Sequence, residues 1–259
     1  MLAITSTPTR STNWQTAPRL LEFLPKILHY TCMSLQKRQW LLELSQQSPI
    51  PPDHGRYLQH LRSQGVYPRV IWDVGACVLH WYHLAKKIWP NADYYMIDGN
   101  TACEFLYQQE QLKYQIAVVS NIDRRSVTFW QNDTHVGGSS YYRENYHLCP
   151  ESKDLFTEEQ KQVVCCQTLQ TISKRRAWPL PDFLKLDVQG AELDVLQGLL
   201  DLNSVEHIVL ELQHVEWNLG APHCSEVITW LEDHNFELIA PRFSNNGPDA
   251  DYHFKRKLV

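Results

Sequence analysis

The sequence predicts an α/β domain built on a mostly parallel, doubly wound sheet that closes in an antiparallel hairpin, preceded by a helical extension. Three observations carry this. From residue 66 onward, short apolar runs of strand length alternate with amphipathic stretches of helix length, the pattern of crossover-connected parallel strands. Four of those runs end in an acid, at Asp73, Asp98, Asp187 and Glu211. The last two runs are joined by the turn-rich stretch Ser244-Asn245-Asn246-Gly247-Pro248-Asp249. With 259 residues, 43% hydrophobic and 20% charged, the chain can fill one core and is not a disordered polymer.

Taken in order, residues 1–17 lack a charged start followed by an apolar run, so a flexible lead is expected rather than a secretory signal. Residues 18–65 form the extension. Apolar residues from Leu20 to Leu44 recur at helical spacing, and the run stops at Ser48-Pro49-Ile50-Pro51-Pro52. Asp53 then suits the N-cap of a further helix, with Tyr57, Leu58 and Leu61 on one face and Gly65 past its end. No chemistry is assigned to the extension.

The α/β domain spans 66–259. Strands are expected at 70–72, 93–97 and 114–119, with helices at 78–89 and 101–109 between them. Residues 126–130 alternate as a strand. A long loop rich in Gly, Ser, Asn, Tyr and His covers 132–150, and 163–167 forms another strand. Strand 183–186, helix 190–202, strand 208–210, helix 224–234 and strands 236–242 and 252–257 complete the order.

A formal net charge of −5 argues against a nucleic-acid partner. No run approaches the ~20 apolar residues that span a bilayer, so no membrane partner is expected. The seven cysteines are odd in number and show no C-x-x-C spacing, which suits reduced thiols in a reducing compartment and a cytoplasmic protein.

In open α/β sheets a ligand sits beyond the carboxyl ends of the strands. Gly75 allows the backbone to turn tightly there, and Asp98, 25 positions after Asp73, suits a carboxylate that accepts from ribose hydroxyls. Asp73, Gly75, Ala76, Asp98 and Asn100 are the candidate cofactor residues. From Gly75 the chain reads G-A-C-V-L-H, which is not the dinucleotide fingerprint, and there is no P-loop, so a nicotinamide-dependent oxidoreductase is disfavoured. S-adenosylmethionine has no pyrophosphate to cradle and fits an acid, a glycine turn and a stacking pocket.

The stretch Phe183-Leu-Lys185-Leu-Asp187-Val-Gln-Gly190-Ala-Glu192-Leu-Asp-Val-Leu-Gln-Gly198 resembles the hallmark of FkbM-type methyltransferases. Ile71-Trp-Asp73-Val-Gly75-Ala76 is similar to that family's first motif, and Gly138-Ser139-Ser140 and the closing Asp251-Tyr-His-Phe-Lys-Arg are similar too. The resemblance implies a Rossmann-like methyltransferase fold, S-adenosylmethionine as cofactor, and O-methylation of a hydroxyl on a sugar or secondary metabolite, so the expected partner is a small-molecule or glycan acceptor. A non-catalytic binding or regulatory protein on the same fold is the alternative.

Asp187, at a strand end within the hallmark, is the expected general base, with a helix cap as its bland counterpart. Lys185 either pairs with an acid or stabilises a developing anion. Glu192 and His214 complete the catalytic candidates, His214 as an alternative base. Asp187, Glu211 and His214 are the alternative in which a metal takes part; the main reading has none. His135, Ser139 and Ser140 are the expected acceptor-binding residues. Trp81 and Tyr82 read as core packing. Leu79 stands where the family has glycine, and leucine resists a positive φ. Either the turn has a different shape, or cofactor binding is weakened.

Overall fold

The computed structural model describes residues 33–47 and 52–257, apart from 133, 149 and 246. The expected lead, the extension up to residue 32, Cys32, Cys149 and most of the 48–52 stop signal lie outside the described residues. By contacts, the chain divides into a unit ending at Gln39 and a unit from Trp40 to Val259. The described part of the first is the opening of helix α1 (Leu35–Gln46).

In the second unit, helix α2 (Pro52–Ser63) buries His54, Leu58 and Leu61. Then come β1 (Val70–Val74), α3 (His80–Ile88), β2 (Asp93–Asp98), α4 (Glu104–Gln109), β3 (Lys113–Ile116), β4 (Ser126–Trp130) and β5 (Lys161–Cys165). The chain continues through α5 (Leu169–Arg176), β6 (Phe183–Leu186), α6 (Glu192–Gln197), β7 (His207–Gln213), α7 (Cys224–Asp233), β8 (Phe236–Asn245) and β9 (Asp249–Arg256).

Seven strands make one sheet in the order β3-β2-β1-β6-β7-β9-β8, and β4 and β5 pair separately. Every pair from β3 to β7 is parallel, while β9 runs antiparallel to both β7 and β8. The fold is thus the doubly wound sheet with a closing hairpin that the sequence predicts. The hairpin's last strand inserts beside β7, leaving β8 at the edge.

Both faces of the sheet are covered, which is why its central strands read as continuous apolar runs. Trp72, Val74, Leu184, Leu186, Ile208 and Leu210 belong to the main core. On the other face Phe183 meets Trp81 and Trp89 of the α3 segment, with ring centroids 6.1 and 5.2 Å apart. Helix α3 buries Trp81, Tyr82, Ala85 and Ile88, one face at helical spacing.

Several boundaries differ from expectation for identifiable reasons. The 190–202 helix is confined to α6 because Gly198 ends it: a Cβ there would lie 2.4 Å from the Ser120 carbonyl oxygen. The third strand stops at Ile116, and Val119 forms only an isolated parallel bridge to Gln167. The 101–109 helix splits into a 3-10 turn at Thr101–Cys103 and α4. Helix α5 is not assigned from the sequence, yet Thr168 caps it by accepting the Thr171 N–H at 3.1 Å. The 132–150 loop is tied down at several points. Ser140 bridges Trp130, Glu144 bridges Asn218, and the hydroxyls of Tyr141 and Tyr142 both donate to Asp194 Oδ2, at 2.8 and 3.1 Å.

Candidate functional site

A cavity of about 360 Å³ opens beyond the carboxyl ends of β1, β2, β6 and β7, where the strand order reverses. One end is apolar, with walls from Ile97, Val118, Phe129 and Val136. The other end is acidic, with Asp187, Glu211 and Asp251 on its wall.

At the apolar end, β2 delivers Asp98 to the cavity. Its Oδ2 accepts the Cys77 N–H and its Oδ1 the Asn100 N–H, both at 2.7 Å. Each carboxylate oxygen has a second lone pair, so ligand hydroxyls can still be accepted. Burial pushes this carboxyl up to about 6. Asn100 is fully buried and is not on the wall. Its amide donates to the Asn132 carbonyl and to Ser139 Oγ, both at 3.2 Å, tying the end of β2 to the loop.

The turn after β1 packs directly against the hallmark segment. Gly75 has φ 78°, and a Cβ there would sit 1.7 Å from the Asp187 carbonyl oxygen, so no other residue fits. Cys77 and Leu79 also take positive φ, 44° and 70°. Leu79 is the N-cap of α3, with no side-chain cap bond, and its side chain is fully buried. The turn is therefore not reshaped around the leucine: Leu79 adopts the left-handed conformation a glycine would take.

Asp73 does not reach the cavity wall. It faces Lys185 across the β1–β6 register, and Lys185 Nζ lies 3.1 Å from Asp73 Oδ1 and 3.4 Å from Asp187 Oδ2, and donates to the Gly75 carbonyl at 2.9 Å. The Asp73 carboxylate is fully buried and accepts no well-directed hydrogen bond among the described residues, so it depends on Lys185 for charge compensation. Burial lowers the Lys185 pKa, but Asp73 and Asp187 outweigh it and raise it on balance. The ammonium is thus taken up by protein groups, and it holds one oxygen of Asp187.

Asp187 follows β6 with its side chain 39% exposed. The Gln189 amide nitrogen donates to Asp187 Oδ1 at 2.9 Å and to Glu211 Oε2 at 3.0 Å, and Gln189 holds a positive φ of 53° to do so. Burial, with Asp187 and its acidic neighbours, pushes the Glu211 carboxyl well above the carboxylate range.

The remaining candidates are placed unevenly. His135, Ser139 and Ser140 lie on the wall. Ser139 Oγ accepts the Asn132 N–H at 3.0 Å, and Ser140 Oγ donates to the Gln189 carbonyl at 2.8 Å. Glu192 is buried off the wall, accepting the Val188 N–H at 2.9 Å, with its carboxyl pushed up to about 7 by burial. His214 is also off the wall, its Nε2 3.1 Å from the Tyr252 hydroxyl, so it is not gathered with Asp187 and Glu211. Among the described residues no group of three or more His, Cys, Asp or Glu is arranged to hold a metal ion. Gln189, Phe129, Asp251 and His54 are wall residues to which the sequence assigns no role. The Q-G pair inside the hallmark is the one signal that marked Gln189.

These residues fit an adenosyl cofactor. The glycine cradle at Gly75, the apolar slot around Phe129 and the open lone pairs of Asp98 match a ligand with a ribose diol and a flat apolar ring, in a cavity of small-molecule size.

Residues 73–238 match the family model described as the methyltransferase FkbM domain. No curated protein matches the chain. Among solved structures, human N-acetylserotonin methyltransferase in complex with SAM is 9% identical; the match covers 86% of this chain and 56% of that one, with a TM-score of 0.45. This chain thus spans little more than half the length of that protein. The precorrin-6y C5,15-methyltransferase of Geobacter metallireducens is 13% identical over 82% of this chain and 92% of its own, TM-score 0.42. A putative RNA methyltransferase of Pyrococcus horikoshii is 12% identical over 82% and 89%, TM-score 0.41. At these values the likenesses say nothing of the acceptor.

Proposed function

Because this chain belongs to the FkbM methyltransferase domain family, a family of methyltransferases with S-adenosylmethionine as cofactor, we propose that it methylates a hydroxyl oxygen of a sugar or other polyhydroxylated small molecule. Bound S-adenosylmethionine supplies the activated methyl group. Asp98, Gly75 and Ala76 would hold it, with Asn100 and the Asp73–Lys185 pair fixing the turn and strand ends from behind.

The observation that carries this reading is Asp187. It is a cavity-wall carboxylate at the end of β6, half-exposed, and held in place by Lys185 and Gln189. A hydroxyl is a poor nucleophile until its proton leaves, and Asp187 is the group we assign to take that proton. Lys185 and Gln189 act through Asp187 as positioning residues. Ser139, Ser140 and His135 border the same space and are assigned to the acceptor side.

The acidic wall and the net charge of −5 support an acceptor without phosphate, which speaks for a small molecule or glycan over nucleic acid. The non-catalytic alternative draws on Leu79, and the glycine-like shape of its turn weighs against it. The described cysteines are free thiols, which supports a reducing compartment such as the cytoplasm. Among the described residues no helix is long and apolar enough to cross a membrane.

The test is transfer of label from methyl-labelled S-adenosylmethionine into the small-molecule fraction of a cell extract. Wild type is expected to label an ether methyl, and Asp187→Asn to slow single-turnover transfer by roughly 10²–10⁴-fold at unchanged S-adenosylhomocysteine affinity. A rate within a few-fold of wild type would reduce Asp187 to a structural partner of Lys185 and Gln189.

A further inference from the structure

Two residues on the acidic side of the cavity lie outside the family-matched segment 73–238: His54 before it on α2, and Asp251 after it on β9. They are joined to each other and to α3. The Trp81 indole nitrogen donates to His54 Nε2 at 2.8 Å, and His54 Nδ1 lies 3.2 Å from Asp251 Oδ2. An indole N–H can only donate, so Nε2 of His54 carries the lone pair and the ring proton sits on Nδ1, directed at Asp251. Both imidazole nitrogens are engaged by protein, which makes His54 an orienting group with no nitrogen left to shuttle a proton.

Asp251 is 9% exposed. Its Oδ2 is anchored by His54, and its Oδ1 meets no protein donor among the described residues. With one oxygen fixed by His54 and the other open on a cavity wall, this largely buried carboxylate can accept a hydrogen bond from a ligand donor. Its position relative to Asp187 follows from the sheet. Glu211 and Asp251 are directly opposed in the β7–β9 register, and Leu186, just before Asp187, is opposed to Leu210. Asp187, Glu211 and Asp251 therefore stand level on three neighbouring strands, which at about 5 Å per strand puts Asp251 roughly 10 Å from Asp187. That is the span of a sugar ring with its substituents. Lys185 is the one Lys or Arg among the described wall residues, and Asp73, Asp187 and the Gly75 carbonyl already hold it. The far wall thus offers an anion no free Lys or Arg side chain.

We propose that Asp251, oriented by His54, is an acceptor-binding residue whose open oxygen takes a hydrogen bond from a second hydroxyl or an ammonium of the acceptor, so that α2 and β9 complete the acceptor subsite and exclude acceptors with a phosphate at that point. The proposal rests on the sugar-hydroxyl reading above. In it His54 is a positioning residue and Asp187 keeps the proton-accepting role.

The test uses full-length protein saturated with S-adenosylhomocysteine and saturation-transfer NMR with three probes: methyl α-glucopyranoside, its 2-amino-2-deoxy analogue, and glucose 6-phosphate. Wild type is expected to bind the first two and not the third. Asp251→Asn and His54→Ala should weaken both glycosides roughly tenfold or more. His54→Asn, whose amide N–H can replace Nδ1–H, should restore most of the loss. Calorimetry with S-adenosylhomocysteine on each variant, expected within threefold of wild type, establishes that the fold and cofactor end are intact. Glycoside affinity unchanged in Asp251→Asn, or glucose 6-phosphate bound as well as the glycosides, overturns this proposal alone. If wild type binds S-adenosylhomocysteine but none of the three probes, the sugar-acceptor reading falls, and the Asp251 assignment with it.

Discussion

Replacing Leu79 tests the cofactor turn through an inverted order of stability. Leu79 holds φ 70°, ψ 14°, and a left-handed conformation costs an L-residue roughly 1–2 kcal/mol. Its side chain is fully buried, so removing it costs about 2–5 kcal/mol in lost burial and cavity formation. Leu79→Ala loses the burial and keeps the strain, and should be destabilised by the full 2–5 kcal/mol. Leu79→Gly loses that burial but relieves the strain, so it should be destabilised by only about 0–4 kcal/mol. Glycine should therefore exceed alanine by about 1–2 kcal/mol, the reverse of the usual order in regular structure. Urea unfolding of the three proteins measures this, and in thermal melts the gap should be about 2–8 °C. Because the backbone shape already suits glycine, Leu79→Gly should bind S-adenosylhomocysteine within about threefold of wild type by calorimetry. An alanine variant as stable as the glycine variant would refute the strain argument. A large gain in affinity on Leu79→Gly would mean that the leucine does distort the turn.

Asp98→Ala should weaken S-adenosylhomocysteine binding by about 1.5–3 kcal/mol, or about 10–150-fold, measured by calorimetry. Since burial pushes Asp98 up to about 6, wild-type affinity should also fall as pH drops through that value, and a flat profile would remove the carboxylate from the ribose site. Lys185→Met strands the buried Asp73 carboxylate and should cost about 3–5 kcal/mol in denaturant unfolding, most of it recovered in the Asp73→Asn, Lys185→Met double variant. Half-buried Tyr57 and buried His253 and His207 form a chain with contacts of 2.7 and 2.9 Å, and burial pushes His207 down to about 4 and His253 to about 3. Between pH ~6.5 and those values the unfolded chain binds more protons than the folded one. Stability should therefore fall with falling pH by up to about 1.4 kcal/mol per unit for each histidine, and His207→Asn should flatten the urea-midpoint profile between pH 7 and pH 5.

The order of strands and helices was legible in the sequence because hydrophobic period and turn residues are local quantities. Val70–Val74 and Phe183–Leu186 are largely apolar runs buried on both faces; Asp187 follows its strand, whereas Asp73 lies one residue inside the end of its own. The same locality made Asp73, Gly75, Asp98 and Asp187 visible as strand-end residues. Their division of labour was not visible. Strand register decided that Asp73 opposes Lys185 and sits behind the cavity, while Asp187, two residues beyond Lys185, reaches its wall. The ends of the chain show the same limit. His54 lies in a helix that reads as mere cover, and Asp251 in a strand whose place beside β7 no local pattern encodes. They meet only because β9 inserts antiparallel between β7 and β8, a pairing set by long-range hydrogen bonds across the finished sheet. The positive φ at Leu79 is likewise tertiary in origin. Leucine's own preference opposes it, and the full burial of its side chain beside a turn packed onto the Asp187 carbonyl holds the backbone there.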